Sequence, residues 1–233
     1  MRHMHISLPI RFSLLLAGTA MVVAGWAALA ADLPGKIEVI TDEPAAGMFL
    51  VAGRGLHDPH FSKTVIFILR HDEEGSVGLV INRPIDLRLS EAIPDLDDQQ
   101  AQTYYMYYGG PVAISLVSML LKDSEESRLI RHITSDVYIS ADRRVLDRLL
   151  AEKQPQNRLR FYLGHAGWTA GQLALEIERH DWHVISADSG LIFNRDTGRL
   201  WQRLIDRLEP AGILVRTRTP QSPIPPAAVA SRS

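Results

Sequence analysis

Cysteine is absent from this chain of 233 residues. Its absence excludes disulfide bonds, thiol nucleophiles, thiolate-bound metals and a lipid-modified N-terminal cysteine. A strong charge of either sign is missing too, because 25 Lys and Arg residues face 27 Asp and Glu residues. Nucleic-acid-binding domains normally carry a basic face or run, so this mildly acidic balance makes a nucleic-acid partner unexpected.

The familiar catalytic signatures are missing as well. The sequence contains no Gly-x-Ser-x-Gly nucleophile elbow, and it has no Walker loop, no His-Glu-x-x-His zinc motif and no dinucleotide fingerprint. His57 and His60 could share a helix face as metal ligands, but Pro59 between them disfavours a helix. We therefore assign no catalytic residue, no metal site and no cofactor. Whether the chain is an enzyme stays open, with a non-enzymatic protein favoured.

One long hydrophobic run is present, and it lies near the N-terminus. Residues 12–26 are almost wholly apolar, two arginines precede them, and Ala-Leu-Ala follows at 28–30. This pattern predicts that residues 1–30 are a secretory signal peptide, cut before Ala31. We expect an exported, periplasmic protein. The alternatives are an uncleaved anchor over residues 12–29, or a mis-assigned start and a cytoplasmic location.

Composition divides the rest of the chain into three parts. Residues 31–46 contain two prolines and a glycine and are interpreted as a linker, with one short strand at 37–40. Residues 47–219 carry the apolar patterns of a folded domain. Residues 220–233 are rich in Pro, Ala and Ser and are predicted to be a disordered tail.

The domain is predicted to be α+β with a mixed sheet, because strand patterns cluster early and helical patterns are interspersed later. Helices are predicted at 87–93, after Ser140 as N-cap, at 169–179, and after Thr197 as cap. The predicted strands are 48–52, 64–70, 76–82, 104–108, 114–121 (a helix is the alternative here), 136–139, 158–163, 182–186, 191–193 and 212–215.

Residues 164–176 are the first candidate site, since a strand pattern there leads through a glycine-rich turn into a helical pattern. Unpaired backbone N–H groups at the start of a helix can hold an anion. His165, Gly167, Trp168 and Gln172 are the candidate ligand-binding residues. The alternative is a purely structural turn, in which Trp168 fills the core and the glycines allow a tight bend.

Two further turns are predicted to face the same cleft. Asn82 and Arg83 form one of them, and Arg83 would supply a forked donor for a carboxylate or phosphate. Gly109 and Gly110 form the other and would let the backbone approach a ligand. Arg54, from a polar loop, completes the candidate set. The alternative is structural turns with solvent-exposed arginines.

An ordered series of motifs resembles the YqgE/AlgH family, a largely uncharacterised bacterial group. The matching pieces are Phe49-Leu50-Val51-Ala52, Asp58-Pro59-His60-Phe61 with Thr64-Val65, Gly78-Leu79-Val80-Ile81-Asn82-Arg83-Pro84, Gly109-Gly110-Pro111-Val112, Gly164-His165-Ala166-Gly167-Trp168 with Gly171-Gln172-Leu173, and Trp182 with Leu191-Ile192-Phe193. The resemblance implies a compact α+β domain whose barrel-like mixed sheet is flanked by helices. It implies no established enzymatic activity.

This chain departs from the family in three places. An export signal precedes the domain, whereas the family resembles cytoplasmic proteins. His165 stands where the family usually has tyrosine, and Leu121-Lys122 stands where it usually has Leu-His.

Together these features predict a non-enzymatic binding or regulatory domain whose partner is a small anion or a protein. Membrane contact is expected only through an uncleaved N-terminal segment. One alternative is a small hydrolase or transferase whose cleft uses His165 and Arg83. A transcriptional regulator is the other, and both the acidic body and the export signal count against it.

Overall fold

The computed structural model describes residues 40–41, 43–93, 96, 99 and 101–210. The predicted signal peptide, most of the predicted linker, the strand predicted at 212–215 and the predicted tail lie outside these residues. Within them, no helix has both the length and the apolar character needed to cross a membrane.

A single curled sheet dominates the described part of the chain. Its order is β1-β11-β2-β3-β4-β10-β7-β9-β8, with β5 beside β6 and β6 beside β10. The strands are β1 (Ile40–Thr41), β2 (Met48–Ala52), β3 (Val65–Asp72), β4 (Gly75–Val80), β5 (Pro84–Arg88), β6 (Tyr105–Tyr108), β7 (Val112–Lys122), β8 (Arg131–Thr134), β9 (Val137–Ser140), β10 (Leu159–Thr169) and β11 (Trp182–Ser186). Only the β6–β10 pair is parallel among these. The predicted α+β class, with one domain and a barrel-like mixed sheet, is confirmed.

Short helices accompany the sheet. They are α1 (Leu89–Ala92), α2 (Arg143–Ala151), α3 (Gln172–Glu178), α4 (Ser189–Ile192) and α5 (Leu200–Leu208). The apolar stripe of α5 is buried, and the indole of Trp201 donates a 2.7 Å hydrogen bond to the carbonyl of Ala52 in β2. Helix α5 therefore packs against β2.

Two apolar clusters fill the space on opposite faces of the sheet. Leu120 of β7 belongs to the larger cluster, whereas its neighbours Met119 and Leu121 belong to the smaller one. Side chains alternate between faces along a strand, so the two clusters are separated by the sheet itself. Helices α3, α4 and α5 cover the larger cluster, and α2 covers the smaller one.

Strand β10 joins the two halves of the sheet. Its first half pairs with β6 on one edge and β7 on the other, at Phe161, Tyr162 and Leu163. Its second half pairs with β4. Because β6 and β7 follow each other in the chain but flank β10, the connection between them must cross over β10.

Glycines make this crossing possible. A Cβ atom on Gly110 would lie 2.2 Å from the backbone carbon of His165, and one on Gly109 would lie 2.3 Å from the carbonyl oxygen of Gly164. Gly164 itself has a φ of 67°. The N–H of Gly109 donates to the carbonyl of Leu163 at 2.7 Å. We predicted that Gly109 and Gly110 would let the backbone approach a ligand. The structure shows that they let it approach the backbone of β10 instead.

Several sequence predictions of local structure are wrong, each for an identifiable reason. Helix α2 is capped by the side chain of Asp142, and Ser140 instead ends β9. Helix α3 begins at Gln172 because Thr169 still pairs with β4. The stretch 191–193 is not a strand, since Asp188 caps the short helix α4 there.

Further differences concern the last helix and two strands. Arg199, and not Thr197, occupies the N-cap position of α5. Strands β5 and β8 went unpredicted, because no residue in either is fully buried and both lack the apolar runs that mark buried strands. The helix predicted at 87–93 begins only at Leu89, since residues 87 and 88 belong to β5.

Substituting Gly110 by alanine tests the crossing. We expect Gly110→Ala to lower the free energy of unfolding by about 2–4 kcal/mol, since the methyl group overlaps the backbone of β10 and the positive φ of 149° disfavours alanine. Gly55→Ala is the matched control, because nothing lies within 4 Å of its added Cβ. Urea unfolding measures both, and equal stabilities of the two variants would contradict the crossing.

Candidate functional site

The glycine-rich stretch around Trp168 is built differently from the predicted strand-turn-helix anion site. Strand β10 continues through Thr169, and only Ala170 and Gly171 separate it from α3. The indole of Trp168 is 6% exposed. Its ring stacks on Phe61, with 6.1 Å between the ring centroids. Trp168 therefore packs in the core between β10 and the loop that follows β2.

The polar atoms of this stretch converge on a carboxylate that belongs to the chain. Glu176 Oε2 accepts hydrogen bonds from the indole N–H groups of Trp168 and Trp182, each at 2.8 Å. Glu176 Oε1 accepts a third from the Gln172 amide at 2.9 Å. Gln172 Oε1 in turn accepts from the backbone N–H of Thr169 at 3.1 Å. We expected backbone N–H groups here to hold an external anion, but the side chains of Trp168, Gln172 and Trp182 donate to Glu176 of the same chain.

Asn82 and Arg83 are also engaged within the chain. Asn82 Oδ1 accepts from the Val65 N–H at 2.8 Å, and its amide donates to the Lys63 carbonyl at 3.0 Å. Arg83 Nη1 and Nη2 donate to the carbonyls of His60 and Ser62, at 2.6 and 2.8 Å. These two side chains fasten the loop between β2 and β3 to the sheet.

Tyr108 and His60 lie beside this arginine. His60 Nδ1 and the Tyr108 hydroxyl are 3.0 Å apart. Burial raises the pKa of Tyr108, while the neighbouring Arg83 lowers it and Asp58 raises it further. Burial also lowers the pKa of Arg83. The cluster is polar and partly desolvated, and its hydrogen bonds hold the loop closed.

Arg54 contacts a different part of the molecule. Its guanidinium pairs with Asp206 and, at 3.5 Å, with Glu209, both at the end of α5. It also lies over the Trp201 ring, 5.9 Å from the centroid. Arg54 thus links the loop after β2 to α5 and shares no contact with the other candidate residues.

His165 and Gly167 lie on the outer part of β10. His165 pairs in register with Val112 of β7, it is partly exposed, and burial lowers the pKa of its imidazole. A Cβ on Gly167 would lie 3.7 Å from Val112 Cγ2. His165 and Gly167 therefore border the start of β7, next to the place where Gly109 and Gly110 cross β10.

The start of β7 presents an apolar surface that the sequence did not reveal. Val117 pairs with Leu163 and Val112 pairs with His165, so the four residues 113–116 form a bulge opposite Gly164. Val112, Ile114 and Leu116 are 44%, 65% and 48% exposed. We call residues 112–116 the β7 arch. The sequence predicted a strand over 114–121 with a helix as the alternative, and it did not predict that the first residues of this strand would be exposed.

The structure therefore brings together one part of the predicted set and disperses the rest. His165, Gly167, Gly109 and Gly110 meet at the β7 arch. Trp168 and Gln172 bind Glu176, Asn82 and Arg83 hold a loop, and Arg54 reaches α5. Across residues 40–210, leaving aside those not described, no three His, Asp or Glu side chains are grouped so as to hold a metal ion.

Comparisons with known proteins agree on one family. An AlgH-like family model matches residues 49–211. A UPF0301 protein of Magnetococcus marinus is 34% identical over 162 residues, which are 69% of this chain and 87% of that protein. A UPF0301 protein of Vibrio cholerae is 32% identical over 168 residues, 69% of this chain and 89% of that protein.

Two solved structures have the same fold. The solution structure of the AlgH protein from Pseudomonas aeruginosa matches with a TM-score of 0.62 and 28% identity, covering 82% of this chain and all of that one. The crystal structure of protein DIP2367 from Corynebacterium diphtheriae matches with a TM-score of 0.58 and 26% identity, covering 71% and 87%.

The internal role of Glu176 can be measured through stability. We expect Glu176→Ala to lower the free energy of unfolding by about 2 kcal/mol or more, because it leaves two buried indole N–H groups without an acceptor. Glu178→Ala is the control on the same helix, where the side chain is exposed and the expected change is below about 0.5 kcal/mol. Urea unfolding followed by tryptophan fluorescence compares them. If Glu176→Ala is as stable as Glu178→Ala, Glu176 does not hold this site together.

Proposed function

The chain belongs to the AlgH-like family, a group of uncharacterised proteins, and we propose that it is a non-enzymatic binding domain. The proposed partner is a protein, and the proposed ligand is an extended, uncharged apolar segment of it that docks on the β7 arch. The observation that carries this proposal is the exposure of Val112, Ile114 and Leu116, at 44%, 65% and 48%. Contiguous exposed apolar side chains commonly mark a contact surface.

The backbone of the arch supports docking by strand addition. Strand β9 pairs with β7 only from Met119 to Lys122. Within the described structure, residues 112–118 have no strand on that edge. A partner segment would therefore lie in line with β9 and gain main-chain hydrogen bonds, as in other cases of β-augmentation.

Charge indicates which segment fits. Residues 112–121 contain no charged side chain. Exposed sheet edges in soluble proteins are commonly protected by charges, by proline or by a bulge, and this edge has the bulge but no charge. An uncharged edge disfavours charged segments, which would lose hydration without a counter-charge. The two-residue spacing of the exposed apolar side chains favours a partner that presents alternate apolar residues.

The contacts of the polar candidates support binding over catalysis. Both terminal nitrogens of Arg83 donate to backbone carbonyls. In the described residues, His165 has no acidic side chain within hydrogen-bonding distance to orient it. A general base in an enzyme is normally oriented by such a third group. These contacts support a binding domain over a hydrolase or transferase that would use His165 and Arg83.

Peptide selection tests the proposed contact surface. Random short peptides displayed on phage and selected on the full chain are expected to converge on alternating β-branched or apolar residues without charges. An Ile114→Asp substitution should weaken binding of a selected synthetic peptide at least about tenfold, because it buries a carboxylate against apolar side chains. Fluorescence anisotropy of the labelled peptide measures the affinity.

The matched control is Leu175→Asp, which places the same charge on a leucine that is 58% exposed on α3. Binding that is unchanged by Ile114→Asp, or lost equally with Leu175→Asp, would refute the β7 arch as the docking site. Self-association that disappears with Ile114→Asp in sedimentation experiments would replace the partner protein by a second copy of the chain.

The location that we propose for this binding is outside the cytoplasm. The charged start, the apolar run at 12–26 and Ala-Leu-Ala at 28–30 support export. Intact-mass analysis of the protein from a fractionated native host is expected to find a mature species that starts at Ala31 in the periplasmic fraction. A full-length species in the membrane pellet, or a soluble cytoplasmic species, would contradict cleavage and export respectively.

A further inference from the structure

A cavity of about 240 Å³ lies away from the β7 arch, beside β5, β6 and the first half of β10. Three tyrosines of the segment 104–107 form part of its wall. Arg160 of β10 and Arg195, from the connection between α4 and α5, also line it. No Asp or Glu side chain is among its lining residues.

Arg160 is the unusual member of this cavity, because its charge is almost completely buried. The residue is 4% exposed. One terminal nitrogen, Nη2, donates to the carbonyl of Asn194. The other, Nη1, is buried and has no hydrogen-bond partner among the described residues. A buried cation with unused donors is costly unless an anion or other acceptor compensates it.

Aromatic contacts compensate part of this charge. The guanidinium carbon lies 4.6 Å from the centroid of the Tyr107 ring, a cation–π distance. Among the described residues Arg160 and Arg195 form no salt bridge. The cavity therefore combines two arginines with a tyrosine wall and has no acidic group of its own.

Tyr162 lies on the same face of β10, two residues beyond Arg160, and is fully buried. Burial raises the pKa of its hydroxyl, and the neighbouring Arg160 partly opposes that effect. Tyr162 does not line the cavity, so its hydroxyl belongs to the buried surroundings of Arg160 and not to the proposed ligand contacts.

We propose that this cavity binds a small carboxylate attached to a flat, apolar or aromatic group. Arg160 and the exposed Arg195, which both line the cavity, would receive the carboxylate, whose planar oxygens match guanidinium donors. The tyrosine rings would contact the flat group. The volume lies below the roughly 300–1,000 Å³ of drug-sized ligand sites, so the ligand is small. None of these residues belongs to the β7 arch, and the two proposals stand or fall separately.

Benzoate is the probe for this site, and the full chain is the protein. Isothermal titration calorimetry is expected to show saturable binding of benzoate, with shifts of Tyr105 and Tyr107 resonances in NMR spectra. Acetate should bind at least about tenfold more weakly, because it lacks the ring. Benzamide, the neutral isostere, should bind at least about tenfold more weakly, because it lacks the charge. Benzamide binding equal to that of benzoate, or tighter binding of inorganic phosphate at the same residues, would overturn the assignment.

Variants locate the binding groups. Arg195→Gln changes an exposed side chain and should leave the fold intact while it weakens benzoate binding at least about tenfold. Arg131→Gln, on exposed β8 outside the cavity, removes the same charge and should leave affinity unchanged. Arg160→Met should abolish binding, and Arg160→Lys should restore it only in part because lysine lacks the fork. Should Arg160→Met fail to fold, Arg195→Gln against Arg131→Gln decides alone. Equal affinities of those two variants would refute the site.

Discussion

Where the chain passes from β6 to β7, its backbone crosses β10 with no room for a side chain at Gly109 or Gly110. The rest of the fold depends on this contact. It allows β10 to pair with β6 and β7 on its two edges and then with β4, so that one strand belongs to both halves of the half-barrel. Gly109 and Gly110 are thus required by packing, because a Cβ atom on either would overlap the backbone of β10.

The polar groups of the motif around Trp168 are also satisfied within the chain. Its indole and the amide of Gln172 donate to Glu176, and Arg83 donates to carbonyls of the loop after β2. Buried donors need acceptors, and here the chain supplies them. Donor-rich motifs therefore serve to close loops and join a helix to the sheet, and the groups left over for partners lie elsewhere.

Two features of the described structure are the basis of our proposals. The β7 arch exposes apolar side chains and an unpaired strand edge, which an extended protein segment would cover. The cavity beside β6 holds Arg160, whose buried Nη1 lacks an acceptor. The β7 arch would bind its partner through apolar contacts and main-chain hydrogen bonds. The cavity would bind a small anion, so the two proposed sites use different interactions.

The sequence by itself determined the class of the domain, most of its strands and the stripe of α5, because apolar periodicity records which residues are buried. It also supplied the family motifs. Tertiary structure decided what those motifs do. The exposure of Ile114 follows from a bulge against Gly164, and the acceptor of Trp168 is a glutamate eight residues further along the chain. The sequence did not distinguish Arg160 from any other strand residue. Its burial is set by contacts with Tyr107 and Asn194, which are distant in the chain. Such contacts join residues distant in sequence, and local patterns carry no record of them.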